Sequence, residues 1–204
     1  MGYRKWGICN TMSPQEIKIQ NLTRIYKALL KLLAETSLSD ISVSRLCRTA
    51  KVSRTYYYRN YHSFQEIITI YQTNMIKSYL RILPHHTTMN FTHLMTAYFK
   101  LMQKNVTQTK LLVDAGLTST LVQTFSDVYY FLSDQQIIVS PSDRQDYNDY
   151  FVSYMSGAVI NVQMKWMNQG MKESPAQMGK MLNEFFFNPE KQLTRHQNIQ
   201  FNIT

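Results

Sequence analysis

Residues 42–66 read S-V-S-R-L-C-R-T-A-K-V-S-R-T-Y-Y-Y-R-N-Y-H-S-F-Q-E. The stretch predicts two short helices and a tight link. Ser42 suits the N-cap of a first helix over 43–50, and Ser53 the N-cap of a second over 54–60, because each hydroxyl can accept from a free N–H of the first turn. Only Lys51 and Val52 join them. Val43, Leu46, Cys47, Ala50 and Val52 are small or apolar and form the expected inner contacts. Arg54, Thr55, Tyr56, Tyr57 and Arg59 form the expected outer face, which is cationic and rich in hydrogen-bonding groups. Such a pair of helices can present the second one to a DNA major groove about 12 Å wide.

Reading toward the N-terminus, Pro14 opens a longer helix with apolar residues at Ile17, Leu22, Ile25, Tyr26, Leu29, Leu30, Leu32 and Leu33, the spacing of one amphipathic face. Residues 37–41 read as its stop. Residues 1–13 read as a flexible basic arm, where Arg4 and Lys5 could enter a minor groove or belong to a mobile tail. Toward the C-terminus, Ser63 followed by Glu66 is a capping-box pattern that starts a helix running to Leu83, before Pro84. Further helices are expected over 91–104, 107–115, 118–132, 142–169 and 175–187, with a polar tail over 189–204. The fold class read from this is all-α: a three-helix DNA-binding module over 14–62, then a helical domain over 63–188.

Charge divides the chain in the same place. Residues 1–62 hold 11 Lys and Arg against three acids, a net +8, and the remaining 142 residues hold 11 against 10. A basic module on a near-neutral body points either to a polyanion partner at one end or to a solvated basic surface, and charge alone does not choose. Hydrophobic residues make up 44% of the chain, enough to bury a core. Cys9 and Cys47 have no disulfide or metal spacing, which fits a reducing compartment. No run approaches the ~18 apolar residues of a membrane span. A soluble cytoplasmic protein with no membrane contact is the expectation.

The ordered set of residues in 42–66 resembles the helix-turn-helix of TetR/AcrR regulators, T-V-x-x-I-A-x-x-A-G-V-S-x-G-T-[FL]-Y-x-[HY]-F-x-[SD]-K-x-x-L. Ser42-Val43, Leu46-Cys47, Ala50, Val52-Ser53, Tyr57-Tyr58, Tyr61, Ser63 and Ile67 take matching places. The chain departs from the pattern at Lys51 for Gly, Thr55-Tyr56 for Gly-Thr, Asn60 for His or Tyr, and Phe64 for Lys. A lysine in a left-handed turn costs about 1 kcal/mol. The resemblance implies that Arg54, Thr55, Tyr56 and Tyr57 face bases while Ser42, Ser53, Tyr58 and Asn60 hold phosphates of a double-stranded, palindromic operator. It implies a transcriptional regulator, with repression the usual mode.

Residues 157–178, G-A-V-I-N-V-Q-M-K-W-M-N-Q-G-M-K-E-S-P-A-Q-M, resemble an ending found in one branch of that family. There the last two helices pair with a second subunit, which implies a homodimer with interface candidates Gly157, Trp166, Met178, Leu182 and Phe185. Two recognition helices would then lie about 34–36 Å apart along the duplex. Ten of the 12 methionines follow residue 70, among many aromatics. These residues read as ordinary core or as an adaptable ligand pocket, for which Tyr98, Met102, Leu121, Phe125, Tyr129 and Tyr154 are the candidates.

His85, His86 and His93 read as a solvated loop with no metal, and Asp143, Asp146 and Asp149 as helix-start acids. No catalytic constellation, phosphate loop or cofactor motif is evident, so no enzyme activity and no cofactor are expected. Beside a regulator with a small-molecule effector stands a co-regulator on the same scaffold, acting through protein–protein contacts without an inducer.

Overall fold

The computed structural model describes residues 12–81, 90–138 and 148–187. These are helical, in the order α1 (Pro14–Leu33), α2 (Val43–Ala50), α3 (Arg54–Asn60), α4 (Phe64–Arg81), α5 (Phe91–Lys104), α6 (Val106–Asp114), α7 (Thr118–Asp134), α8 (Asn148–Asn168) and α9 (Pro175–Phe187), with a 3-10 turn at Leu38–Asp40 after α1. The fold is the all-α, two-part arrangement expected. The readings of residues 1–11, Pro84, His85, His86, Asp143, Asp146 and the tail over 189–204 lie outside the described residues.

The chain forms two compact units that meet between Ile67 and Ile68. In the first, α1 packs on α2 and α2 on α3. Ser13 and Glu16 close a full capping box around Pro14, each side chain bonding the other's backbone N–H. Ile25, Leu29 and Leu46 are fully enclosed, with Tyr26 and Cys47 beside them in the core. Ile17, expected on the apolar face of α1, is 44% exposed instead. The first turns of that helix extend past the core that α2 covers, so phase alone does not bury it.

In the second unit α5 runs along α9, and α7 along α8. Gly179 lets α5 and α9 cross closely. A Cβ there would stand 2.7 Å from the Thr92 carbonyl oxygen, 2.8 Å from the Thr96 nitrogen and 2.4 Å from the Thr96 hydroxyl. Ser174 and Gln177 cap the start of α9 reciprocally, with Pro175 at the first turn, where its missing N–H costs nothing. Trp166 is 2% exposed, meets Phe99 edge-on at 5.1 Å, and donates its indole N–H to the Glu173 carbonyl at 2.9 Å. It thereby pins the turn between α8 and α9, whose residues Gly170 and Met171 adopt positive φ.

A candidate DNA-binding face and a pair of internal cavities

The first candidate site is built by three caps. The Ser42 hydroxyl accepts from Arg45 N at 3.2 Å and the Ser53 hydroxyl from Tyr56 N at 3.0 Å. Each therefore fixes a helix start while its own proton stays free to donate to a phosphate oxygen. Ser63 does the same for Glu66 N at 3.1 Å, and the Glu66 carboxylate returns to the His62 N–H at 2.6 Å, one residue before the position a capping box uses. That bond to His62 is the main reason the Glu66 carboxyl is held below the usual carboxylate range. Between α2 and α3, Lys51 takes the left-handed conformation (φ 56°, ψ 45°) and Val52 N bonds back to the Cys47 carbonyl at 3.0 Å.

Helical phase sorts the α3 side chains. Arg54, Thr55, Tyr58 and Arg59 are exposed and share one face, with Tyr58 65% open to solvent. Tyr57 is 2% exposed. Its assignment to the base-contacting face is corrected: four residues before the buried Tyr61 and one past half-buried Tyr56, it points to the core. There it packs against Tyr58 (5.4 Å), Tyr61 (6.0 Å) and Phe64 (6.4 Å). Burial pushes its phenol pKa upward. Tyr56 is half-buried, and its hydroxyl is enclosed beside that of Tyr61, with no partner for either beyond the other.

Asn60 turns its amide N–H onto the Tyr56 carbonyl at 2.8 Å. One donor intended for phosphate is thus engaged within its own helix. Arg59, outside the assigned contact set, has the exposure that Tyr57 lacks. Lys18, Arg24, Lys27, Lys31, Arg48, Lys51, Arg54 and Arg59 are exposed and in no ion pair among the described residues. Arg45 differs, bridging to Glu35 at 3.1 Å.

The second candidate site lies inside the second unit as two neighbouring cavities. One, about 30 Å3, is lined by Ile76, Tyr79, Leu80, Leu94, Met95, Tyr98, Leu101, Phe125, Val128, Tyr129 and Leu132. The other, about 20 Å3, is bounded by Gln72, Ile76, Tyr98, Met102, Thr109, Leu121, Thr124, Phe125, Ile160 and Gln163. Each holds about one or two water molecules. Of the expected pocket residues, Tyr98 and Phe125 line both, Tyr129 the first, and Met102 and Leu121 the second. Tyr154 lines neither. It is 65% exposed and meets Phe186 at 5.7 Å, because its position on α8 turns it away from α7.

Tyr98 crosses Phe125 edge-on at 5.2 Å and donates its hydroxyl to Gln163 Oε1. Desolvation pushes its phenol far above the usual range. Gln163, missed in the sequence reading, is 1% exposed. Its only prior signal was its place seven residues after Ser156, another buried polar group on the same face of α8.

The dimer candidates separate in the same way. Gly157 is half-buried with open space where a Cβ would stand, and Phe185 is 41% exposed. Trp166, Met178 and Leu182 are corrected to core: each is at most 2% exposed, filling the packing of their own unit. No group of three His, Cys, Asp or Glu capable of holding a metal occurs among the described residues, and no described helix is long and apolar enough to cross a membrane.

A capped helix pair with a cationic second helix, followed by a separate helical unit, has the form of a helix-turn-helix regulator. Residues 89–188 match the TetR_C_8 family, described as a transcriptional regulator C-terminal region. That match supports a TetR family transcriptional regulator, a class that implies DNA as a partner. Among solved structures, the dihydroxyacetone kinase operon activator DhaS aligns at 16% identity and a TM-score of 0.47, over 81% of this chain and 93% of that one. No curated protein matches the chain.

Proposed function

We propose that this protein is a homodimeric, cytoplasmic, sequence-specific repressor whose operator affinity is set by an uncharged small molecule bound in the second unit, and that it catalyses no reaction. The observation that carries the DNA reading is the stripe of Arg54, Thr55, Tyr58 and Arg59 on one face of α3, its cations in no ion pair among the described residues. Arg54 and Thr55 lie nearest the start of the recognition helix and read base edges. Tyr58, Arg59 and the free protons of Ser42 and Ser53 hold phosphates.

A homodimer is supported by large apolar groups left at the surface of α8 and α9, Tyr150 (80% exposed), Tyr154 and Phe185, beside the open position at Gly157. A ligand that prefers one arrangement of the dimer shifts DNA affinity by its differential binding, typically about 1–3 kcal/mol. The small size of the two cavities favours a second reading, a co-regulator that works through protein contacts with no effector.

Selection from a random duplex pool, followed by anisotropy titration at several salt concentrations, tests the first reading. A palindromic site bound at least ~10³-fold tighter than random duplex is expected, with that preference lost in Arg54→Ala. Absence of any enriched sequence would sink the DNA-reading role and leave the co-regulator.

A further inference from the structure

Three side chains, Ile76, Tyr98 and Phe125, are common to both cavities and form the wall between them. The two chambers differ in chemistry. Apart from tyrosine hydroxyls, the first is hydrocarbon and thioether throughout. The second gathers Gln72, Thr109, Thr124 and Gln163. Neither lining contains Asp, Glu, Lys, Arg or His. The nearby cations rest on aromatic faces, Lys77 over Phe131, outside the linings, at 3.7 Å, and Lys104 over Tyr79, a residue of the first lining, at 6.0 Å.

Gln163 is fully buried, and one of its two polar atoms has only a poor partner. Its carbonyl oxygen accepts from Tyr98, but its buried amide N–H reaches only the Met167 sulfur at 3.6 Å, a weak acceptor. Thr124 and Thr109 donate to their own helix, at the Thr120 and Asn105 carbonyls, and keep lone pairs free. Gln72 makes no hydrogen bond among the described residues. A buried amide donor without a good oxygen acceptor costs stability until a ligand supplies one. An ion entering a space without counter-charge pays its full desolvation, so the lining selects against both signs of charge.

We infer that the effector is an uncharged amphiphile, with a carbonyl or hydroxyl head on Gln163 in the polar chamber and a hydrocarbon tail in the apolar one. It enters when the Tyr98 ring turns aside, the chambers join and the lining helices part, since the two spaces as they stand hold only a few water molecules. This rests on the proposed effector-controlled regulator and names the chemistry of that effector. Head recognition is the selective part, because a site built to hydrogen-bond a group rejects analogues that cannot meet it.

The test uses the full chain and four six-carbon probes at neutral pH: hexanamide, hexan-1-ol, hexanoate and hexylammonium. Binding is read by calorimetry and by the rise in Tm that a native-state ligand produces. Hexanamide and hexanol are expected to bind at least tenfold tighter than either ion. In the paired variant Tyr98→Phe with Gln163→Leu, which leaves no orphaned hydroxyl, hexanamide affinity falls at least tenfold. If that variant folds poorly, Val128→Phe, which fills the apolar chamber, is expected to abolish binding instead. Binding of an ion as tightly as the amide, or no binding by any of the four, overturns the inference. The anisotropy titration is repeated with hexanamide present: selective binding without any change in DNA affinity upholds the pocket chemistry and overturns the effector role alone.

Discussion

The two tyrosine-rich regions of this protein arrange polarity in opposite ways. On α3 the charged groups, Thr55 and Tyr58 are outside and a tyrosine, Tyr57, is turned in to hold the helix. Around Tyr98 the surface is left to other residues, and neutral polar groups are gathered inside with no charge among them. The contrast teaches what each region can bind. An outward cationic face releases counterions from a polyanion and needs no enclosure. An inward neutral lining needs enclosure and excludes ions.

The widest effect comes from breaking the sorting on α3. Tyr57→Ala is expected to cost about 3–5 kcal/mol in denaturant unfolding, as for other large aromatic truncations in a core. Tyr58→Ala, its neighbour on the exposed face, is expected to stay within about 0.5 kcal/mol of the parent while weakening operator binding about tenfold or more. Equal stability losses in the two variants would erase the inside–outside distinction.

That distinction is legible in the sequence through helical phase, whereas residue type alone places Tyr57 with the exposed set. Arg54, Thr55, Tyr58 and Arg59 are the positions that share a turn-to-turn face. Helix starts were easier to read, since Ser42, Ser53 and Ser63 announce caps through local chemistry. The interior of the second unit was harder. Gln163, Thr124 and Ser156 look like surface residues in a hydropathy pattern, and only the packing of α5, α7 and α8 turns them inward. The same packing removes Trp166, Met178 and Leu182 from any subunit contact, which no single-chain periodicity distinguishes from burial at an interface.

Smaller changes sharpen the comparison. Gly179→Ala places a methyl against backbone atoms of α5 and should cost about 1–3 kcal/mol, read as a lower Tm of the second unit with the first unaffected. Lys51→Gly relieves a left-handed lysine. It should stabilise the first unit by up to about 1 kcal/mol, after the added chain entropy of glycine is counted, with no change in half-site spacing.

The least effect is expected from acid. Glu16 and Glu66 have folded pKa values below their unfolded ones, through bonds from Ser13 and His62 respectively. Their contribution is present above the ordinary carboxylate value and is lost as pH falls through the lowered one. Unfolding of Glu66→Gln should therefore show a shallower loss of stability on the acid side of about pH 4.5 than the parent, in a urea titration at stepped pH.

The crossing at Gly179 has a mechanical consequence. With no space for even one added carbon between α9 and the backbone of α5, the two helices have no clearance to slide or roll past one another, and they behave as a single strut. In the proposed effector site, any breathing that admits a guest must come from the other lining helices, α4, α7 and α8, so α5 and α9 are the fixed jaw of a clamp and those three the moving one.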